Sequence, residues 1–328
     1  MADLDHEPRG GGDSALPPRI TIRDVGPRDG LQVEAPVAVE DRIRLVRGLV
    51  RAGLREIEVG SFVSPKAVPA MAQAAAVFAG TEGIPGLVRA ALVPNARGAA
   101  DAVAAGADEL TSIISASPTY NLRNVRMTTD ESLAQVVPIA AAAHAAGIGL
   151  DVVISCSFGS PYEGEIDPAA VADLAAACRA NGADRITLAD TTGMATPRGI
   201  HEVIDRTGPD VGIHLHETRG TGLVCCYAAM QRGVTRFDTS VGGLGGSPFA
   251  AGAAGNVATE DLVSLVEDLG VDTGVDLVAL LDVCRDLAAL VDHPLPSAVS
   301  SSGPRITPDA AILSDGGHAS APLSNPTA

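Results

Sequence analysis

The sequence predicts an α/β protein, a (β/α)8 TIM barrel with disordered N- and C-terminal tails, on three observations. Short β-branched, apolar runs alternate with Ala-rich stretches of helical period, the pattern of repeated βα units. Eight such pairs fit between residues 19 and 290, the size of one parallel barrel. Glycine stands where five of the helices should stop. A doubly wound open sheet is the second choice.

The first run, Ile20–Arg23, precedes a helix over Glu40–Ala52 that Gly53 ends. Glu56–Phe62 leads to a helix over Ala67–Phe78, and Val88–Pro94 to one over Ala96–Ala105, stopped by Gly106. Glu109–Ser115 feeds Thr129–Ala146, ended by Gly147, and Leu150–Ser155 feeds Pro168–Asn181, ended by Gly182. Arg185–Ala189 is followed by Pro197–Thr207. Gly212–His216 is followed by Thr221–Arg232 with Gly233 behind it, and Arg236–Val241 by Glu260–Leu269.

The 328 residues are 46% hydrophobic and 19% charged, as expected of a globular protein. A net charge of −17 without a Lys/Arg run disfavours nucleic acid or an anionic membrane surface as partner, so an anionic ligand must be met locally. No apolar run reaches the length of a membrane span. Residues 1–18, acidic and with three consecutive glycines, lack the marks of a signal or transit peptide and read as a disordered leader. Residues 19–290 read as one TIM-barrel domain, and Pro, Ser, Gly and Asp make 291–328 a flexible tail. The five cysteines lack metal-ligand spacing, which points to buried thiols in a cytoplasmic protein.

A barrel puts its chemistry on the loops at the C-terminal ends of the strands. There the sequence offers Arg28 and Asp29 after run one, Glu58 and Ser61 closing run two, Asn95 after run three, and Asp190 and Thr191 closing run six. Run seven carries His214 and His216, two residues apart and therefore on one face of a strand. A lone His-x-His is as easily a pair of ordinary polar residues at a strand end; convergence with Asp29 favours a metal site. One carboxylate, two imidazoles and an amide oxygen from Asn256 suit six-coordinate Mg²⁺ or Mn²⁺, with zinc as runner-up.

Five motifs carry a family resemblance: Gly26-Pro-Arg-Asp-Gly-Leu-Gln32, Ser61-Phe-Val-Ser-Pro-Lys66, Ser160-Pro-Tyr-Glu-Gly164, His214-Leu-His216, and the stretch from Gly242-Gly-Leu-Gly-Gly-Ser-Pro248 through Asn256 to Asp261. Together they resemble the hydroxymethylglutaryl-CoA lyases, members of the metal-dependent barrel superfamily that also holds isopropylmalate and homocitrate synthases. The resemblance runs from about Arg19 to Leu290. It implies Mg²⁺ or Mn²⁺ on Asp29, His214, His216 and Asn256, Arg28 as the electrophilic partner of an acyl-CoA thioester carbonyl, Glu58 and Asp190 as supporting polar groups, and a homodimer.

The implied reaction is a retro-Claisen cleavage. A base, for which His214, Asp29 and Asp190 are candidates, takes the proton of a tertiary hydroxyl held by the metal. The alkoxide collapses to a ketone and expels an enolate, whose oxygen Arg28 stabilises; products are acetyl-CoA and a keto acid. These lyases protonate the enolate with a loop cysteine, and this chain has Ser247 there, a much weaker acid. Val153 stands where they tend to carry an aromatic residue, and Glu217 where they carry Asp. The alternatives are a lyase for another 3-hydroxyacyl-CoA such as citramalyl-CoA, a Claisen-condensing synthase, or a metal-binding homologue of low activity. Of the remaining candidates, the glycine-rich stretch reads as a lid, the Ser61–Lys66 stretch as a CoA contact or a structural loop, and Arg123 and Asn124 as a solvated loop in preference to a substrate contact. His144 and His201 read as helix-surface residues.

Overall fold

In the computed structural model, which describes residues 16–246 and 254–305, eight parallel strands close into one barrel. They are β1 (Thr21–Asp24), β2 (Glu56–Ser61), β3 (Val88–Leu92), β4 (Glu109–Ser115), β5 (Gly149–Ser155), β6 (Arg185–Asp190), β7 (Gly212–Leu215) and β8 (Arg236–Thr239). Each pairs with the next and β8 pairs with β1, Thr21 opposite Arg236. Every expected run lies within two residues of a strand at both ends, because a barrel strand is buried on both faces and leaves an unbroken apolar signal.

The helices are α1 (Val39–Arg51), α2 (Ala74–Gly80), α3 (Ala96–Ala104), α4 (Pro118–Val125), α5 (Thr129–Ala145), α6 (Pro168–Ala180), α7 (Pro197–Thr207), α8 (Gly222–Gln231), α9 (Thr259–Asp268), α10 (Leu277–Val291) and α11 (Ala298–Ser302). All five expected glycine stops take positive φ. At Gly53 a Cβ would also lie 2.2 Å from the Gly274 carbonyl, so no other residue fits.

Three segments depart from the sequence reading. The helix expected over Ala67–Phe78 is an α-helix only from Ala74; before it come a 3-10 turn at Pro69–Met71 and Gln73 in the left-handed region. Pro69 has no N–H to donate and holds Val68 out of the helical region. The stretch with Arg123 and Asn124 is a helix, α4, with Pro118 in its first turn and the Ser117 hydroxyl accepting from the Tyr120 N–H. Helix α10, which the βα count did not include, is capped by Asp276 and packs against α1 and α9. After it, Ser297 and Val299 hydrogen-bond Asp261, tying residues up to α11 to the barrel.

The core between sheet and helices is built from Val, Ile, Leu and Ala with Phe78 and Phe237. The lower barrel interior is different, since charges occupy positions usually filled by branched apolar residues. Arg23 pairs there with Asp238 at 2.8 Å, Asp151 at 2.9 Å and Glu109 at 3.2 Å, and Arg185 joins Glu109 to Glu56. Among the described residues no helix is long and apolar enough to cross a membrane.

Candidate metal centre and active site

The strand ends assemble the site through local backbone geometry. After β1 the Val25 carbonyl accepts from the N–H groups of Arg28, Asp29 and Gly30, closing one wide π-helical turn over Gly26–Gly30. That turn aims Arg28 and Asp29 into the barrel mouth, where both are buried. Asp24 fixes it from below by accepting from the Gly26 N–H at 2.8 Å, the Val241 N–H at 3.0 Å and the Thr259 hydroxyl at 2.6 Å. A second piece of backbone brings Asn256 in: Val257 N–H donates to Leu215 O and Glu217 N–H to Gly255 O, a short antiparallel bridge alongside the end of β7.

Asp29, His214 and His216 converge so that one ligand atom from each lies within 4.8 Å of the others. His214 Nε2 is 3.9 Å from Asp29 Oδ2 and 3.4 Å from His216 Nε2. The Asn256 amide nitrogen donates to Asp29 Oδ2 at 2.7 Å and to the Leu244 carbonyl at 2.9 Å, while its Oδ1 is buried without a partner. The other nitrogens of the two rings face acceptors: His214 Nδ1 lies 3.3 Å from Asp238 Oδ2 and His216 Nδ1 lies 3.0 Å from the Ala254 carbonyl. A carbonyl or carboxylate cannot donate, so both Nδ1 atoms carry the hydrogen, which is the tautomer whose neutral ring offers its Nε2 lone pair to a cation. Two imidazole nitrogens facing each other across 3.4 Å, beside a carboxylate and an orphaned amide oxygen, fit a shared cation.

The electrostatics keep Asp29 and His216 in ligand form. Burial works to raise Asp29, yet Arg28 and the two histidines hold it below the usual carboxylate range. Burial, with His214 beside it, pushes His216 down to about 4, so it is neutral at pH 7. Arg28 donates through Nε to Glu58 and through Nη1 to Asp29 at 2.6 Å, and despite burial these carboxylates hold its pKa above the usual arginine value. Neither of these bonds uses Nη2.

Above the cluster opens a cavity of about 880 Å³ lined by Arg28, Asp29, His214 and His216, with Asn95, Asn124, Val153 and Thr191 on its walls. Asn124 thus borders the cavity from α4, which corrects the solvated-loop reading. Asp190 sits apart: its two oxygens accept from the Met194 and Ala195 N–H groups at 2.7 and 2.8 Å, and burial pushes it up to about 6. Glu217 accepts from the Leu223 N–H at the start of α8, and Ser61 is buried with an unpaired hydroxyl. Ser247 lies outside the described residues. The five cysteines are buried and free. Asp238, Arg23 and Gln32, which donates to Asp29 at 2.6 Å, were not singled out by the sequence reading. Asp238 stands directly opposite His214 in the β7–β8 register, so strand alignment could have found it.

The HMGL-like family matches residues 19–287. The 3-hydroxy-3-isohexenylglutaryl-CoA/hydroxymethylglutaryl-CoA lyase of Pseudomonas aeruginosa is 42% identical over 282 residues, 84% of this chain and 94% of that protein. The mitochondrial hydroxymethylglutaryl-CoA lyase of Macaca fascicularis is 40% identical over 293 residues, 88% of this chain and 90% of that one. Among solved structures, an HMG-CoA lyase from Acinetobacter baumannii in complex with coenzyme A and 3-methylmalate superposes with a TM-score of 0.84 at 40% identity, covering 89% of this chain and 98% of that one.

Proposed function

The chain belongs to the HMGL-like family of carbon–carbon lyases, and from that premise we propose that it cleaves a 3-hydroxy-3-methylglutaryl-CoA-like thioester to acetyl-CoA and a keto acid. The observation that carries the reading is the convergence of Asp29, His214 and His216 beside Arg28 on one cavity, with Asn256 hydrogen-bonded to Asp29 behind them. With two imidazoles, oxygen donors and no thiolate, the set suits Mg²⁺ or Mn²⁺ better than zinc. Asp29, His214, His216 and Asn256 would hold a divalent cation there, and its charge would lower the pKa of a substrate hydroxyl.

The protein's own groups do the rest. Of the three candidate proton acceptors, Asp190 spends both oxygens on backbone N–H groups, and His214, with its hydrogen on Nδ1 and its Nε2 given to the cation, has no lone pair to spare, which leaves Asp29 facing the cavity. As the bond between the α- and β-carbons breaks, negative charge moves onto the thioester oxygen, and Arg28 Nη2 is the donor available to it. Glu58 and Asp29 hold the guanidinium so that it need not reorient during the reaction. The enolate carbon then takes a proton, and Ser247, at the position where the resemblance implies a cysteine acid, is the candidate donor in the sequence. The five free cysteines accord with a reducing cytoplasm; a homodimer is the proposed assembly, which size-exclusion chromatography tests.

A second reading concerns the acyl group. Ile113 and Val153 are register partners on β4 and β5 and, with Leu92, form an apolar cavity wall. The relative from Pseudomonas aeruginosa carries isohexenylglutaryl-CoA in its name. A longer apolar substituent at C3 would pack on that wall. The test is acetyl-CoA release from a panel of hydroxyacyl-CoA thioesters with Mg²⁺ or Mn²⁺. Turnover of hydroxymethylglutaryl-CoA supports the first reading. Release only from a longer 3-alkyl homologue supports the second, and release only from citramalyl-CoA reassigns the substrate. Release from none refutes the lyase reading of this chain.

A further inference from the structure

We propose that Asp238, clamped by Arg23, sets the tautomer of His214 and through it the affinity of the cation site; the inference rests on the metal reading above. Three features of the structure carry it. First, His214 and Asp238 are register partners on neighbouring strands, so the backbone ladder itself fixes the carboxylate beside the ring, with Oδ2 at 3.3 Å from Nδ1. Second, Arg23 holds both oxygens of Asp238 in a fork, Nε to Oδ1 and Nη2 to Oδ2 at 2.8 Å each. A carboxylate held this way stays ionised and cannot rotate, so it accepts from Nδ1–H and offers no hydrogen in return. Third, Arg23 is itself braced by Glu109 on β4 and Asp151 on β5, and Thr187 on β6 donates to Asp151 at 2.8 Å.

The brace therefore spans the barrel and ends on a ligand. In the opposite tautomer His214 would carry its hydrogen on Nε2, aimed at the place a cation must occupy. It would also leave Nδ1 and Asp238 Oδ2 as two facing acceptors. Partners of this kind fix ring orientation and raise ligand basicity at metal sites generally. His216 is held by different means, through the Ala254 carbonyl on the segment after the glycine-rich stretch. Loss of Asp238 thus leaves one imidazole in place and frees the other. Asp238 is a positioning residue: it need not touch the substrate.

The experiment uses the full chain, stripped of metal and labelled with ¹⁵N-histidine, and Mn²⁺ titrated in with free ion read by electron paramagnetic resonance. In the wild type, His214 is expected as the Nδ1–H tautomer before any metal is added. Asp238→Ala should populate both tautomers and weaken Mn²⁺ binding by about 10- to 100-fold. Arg23→Met, which leaves the carboxylate free to turn, should shift both readouts in the same direction by less. A wild-type His214 with its hydrogen on Nε2 overturns the proposal whether or not the variants fold. So does a folded Asp238→Ala protein that binds Mn²⁺ within about twofold of the wild type. A wild type that binds no Mn²⁺ while showing the expected tautomer counts against the metal reading instead.

Discussion

Replacing Asp24 by Asn should change how stability depends on pH, and the structure fixes both the sign and the size. Asp24 is fully buried at the root of the turn that carries Arg28 and Asp29; burial, with Glu260 nearby, pushes it from 3.8 up to about 7 despite three hydrogen bonds. Between those values the native state binds a proton that the unfolded state has released, so stability is complete below about pH 4 and falls as pH rises through 7. A carboxyl displaced that far accounts for about 4 kcal/mol across the interval.

Asparagine cannot ionise and so removes this slope, but it also loses an acceptor. Its oxygen can serve Val241 N–H and the Thr259 hydroxyl, which leaves its NH₂ facing the Gly26 N–H and costs about 1–3 kcal/mol. The variant should therefore be less stable than wild type near pH 4.5 and more stable near pH 8, with the curves crossing between. Urea midpoints followed by far-UV circular dichroism measure this, since the chain has no Trp to report by fluorescence. Glu109 and Asp190, raised to about 7 and about 6, slope both proteins alike, so the difference between the curves reports Asp24 together with its neighbour Glu260, which burial also raises. Parallel curves would refute the argument and mean that Asp24 is ionised throughout.

Other expectations follow from the site. Arg28→Lys keeps the charge but loses the fork held by Glu58 and Asp29, and kcat for acetyl-CoA release should fall by about 10²–10³; an unchanged kcat removes Arg28 from the charge-stabilising role. Asn256→Ala removes the orphaned Oδ1 and the amide donor to Asp29, so Mn²⁺ affinity should drop about tenfold or more, measured by calorimetry. Chelator treatment should abolish turnover, and Mg²⁺ or Mn²⁺ should restore it. Ser247→Cys should speed cleavage of hydroxymethylglutaryl-CoA, and a rate equal to wild type would mean that the proton reaches the enolate from elsewhere.

Sequence alone determined the barrel, because doubly buried strands and glycine-stopped helices leave local periodic signals that need no partner to be read. It also determined the ligand candidates, since Asp29, His214 and His216 fall at strand ends where a barrel concentrates its chemistry. Where Pro69 broke a helix or Ser117 started one, the signals were local too, but they competed with an Ala-rich background and with a polar loop reading. Tertiary structure alone decided that Asp190 turns into its own loop, that Asn256 reaches the cluster through a bridge beside β7, and that Arg23 joins Asp238 to Asp151 and Glu109 across the barrel. The physical reason is distance along the chain: Arg23 and Asp238 are 215 residues apart, and only closure of β8 onto β1 makes them neighbours.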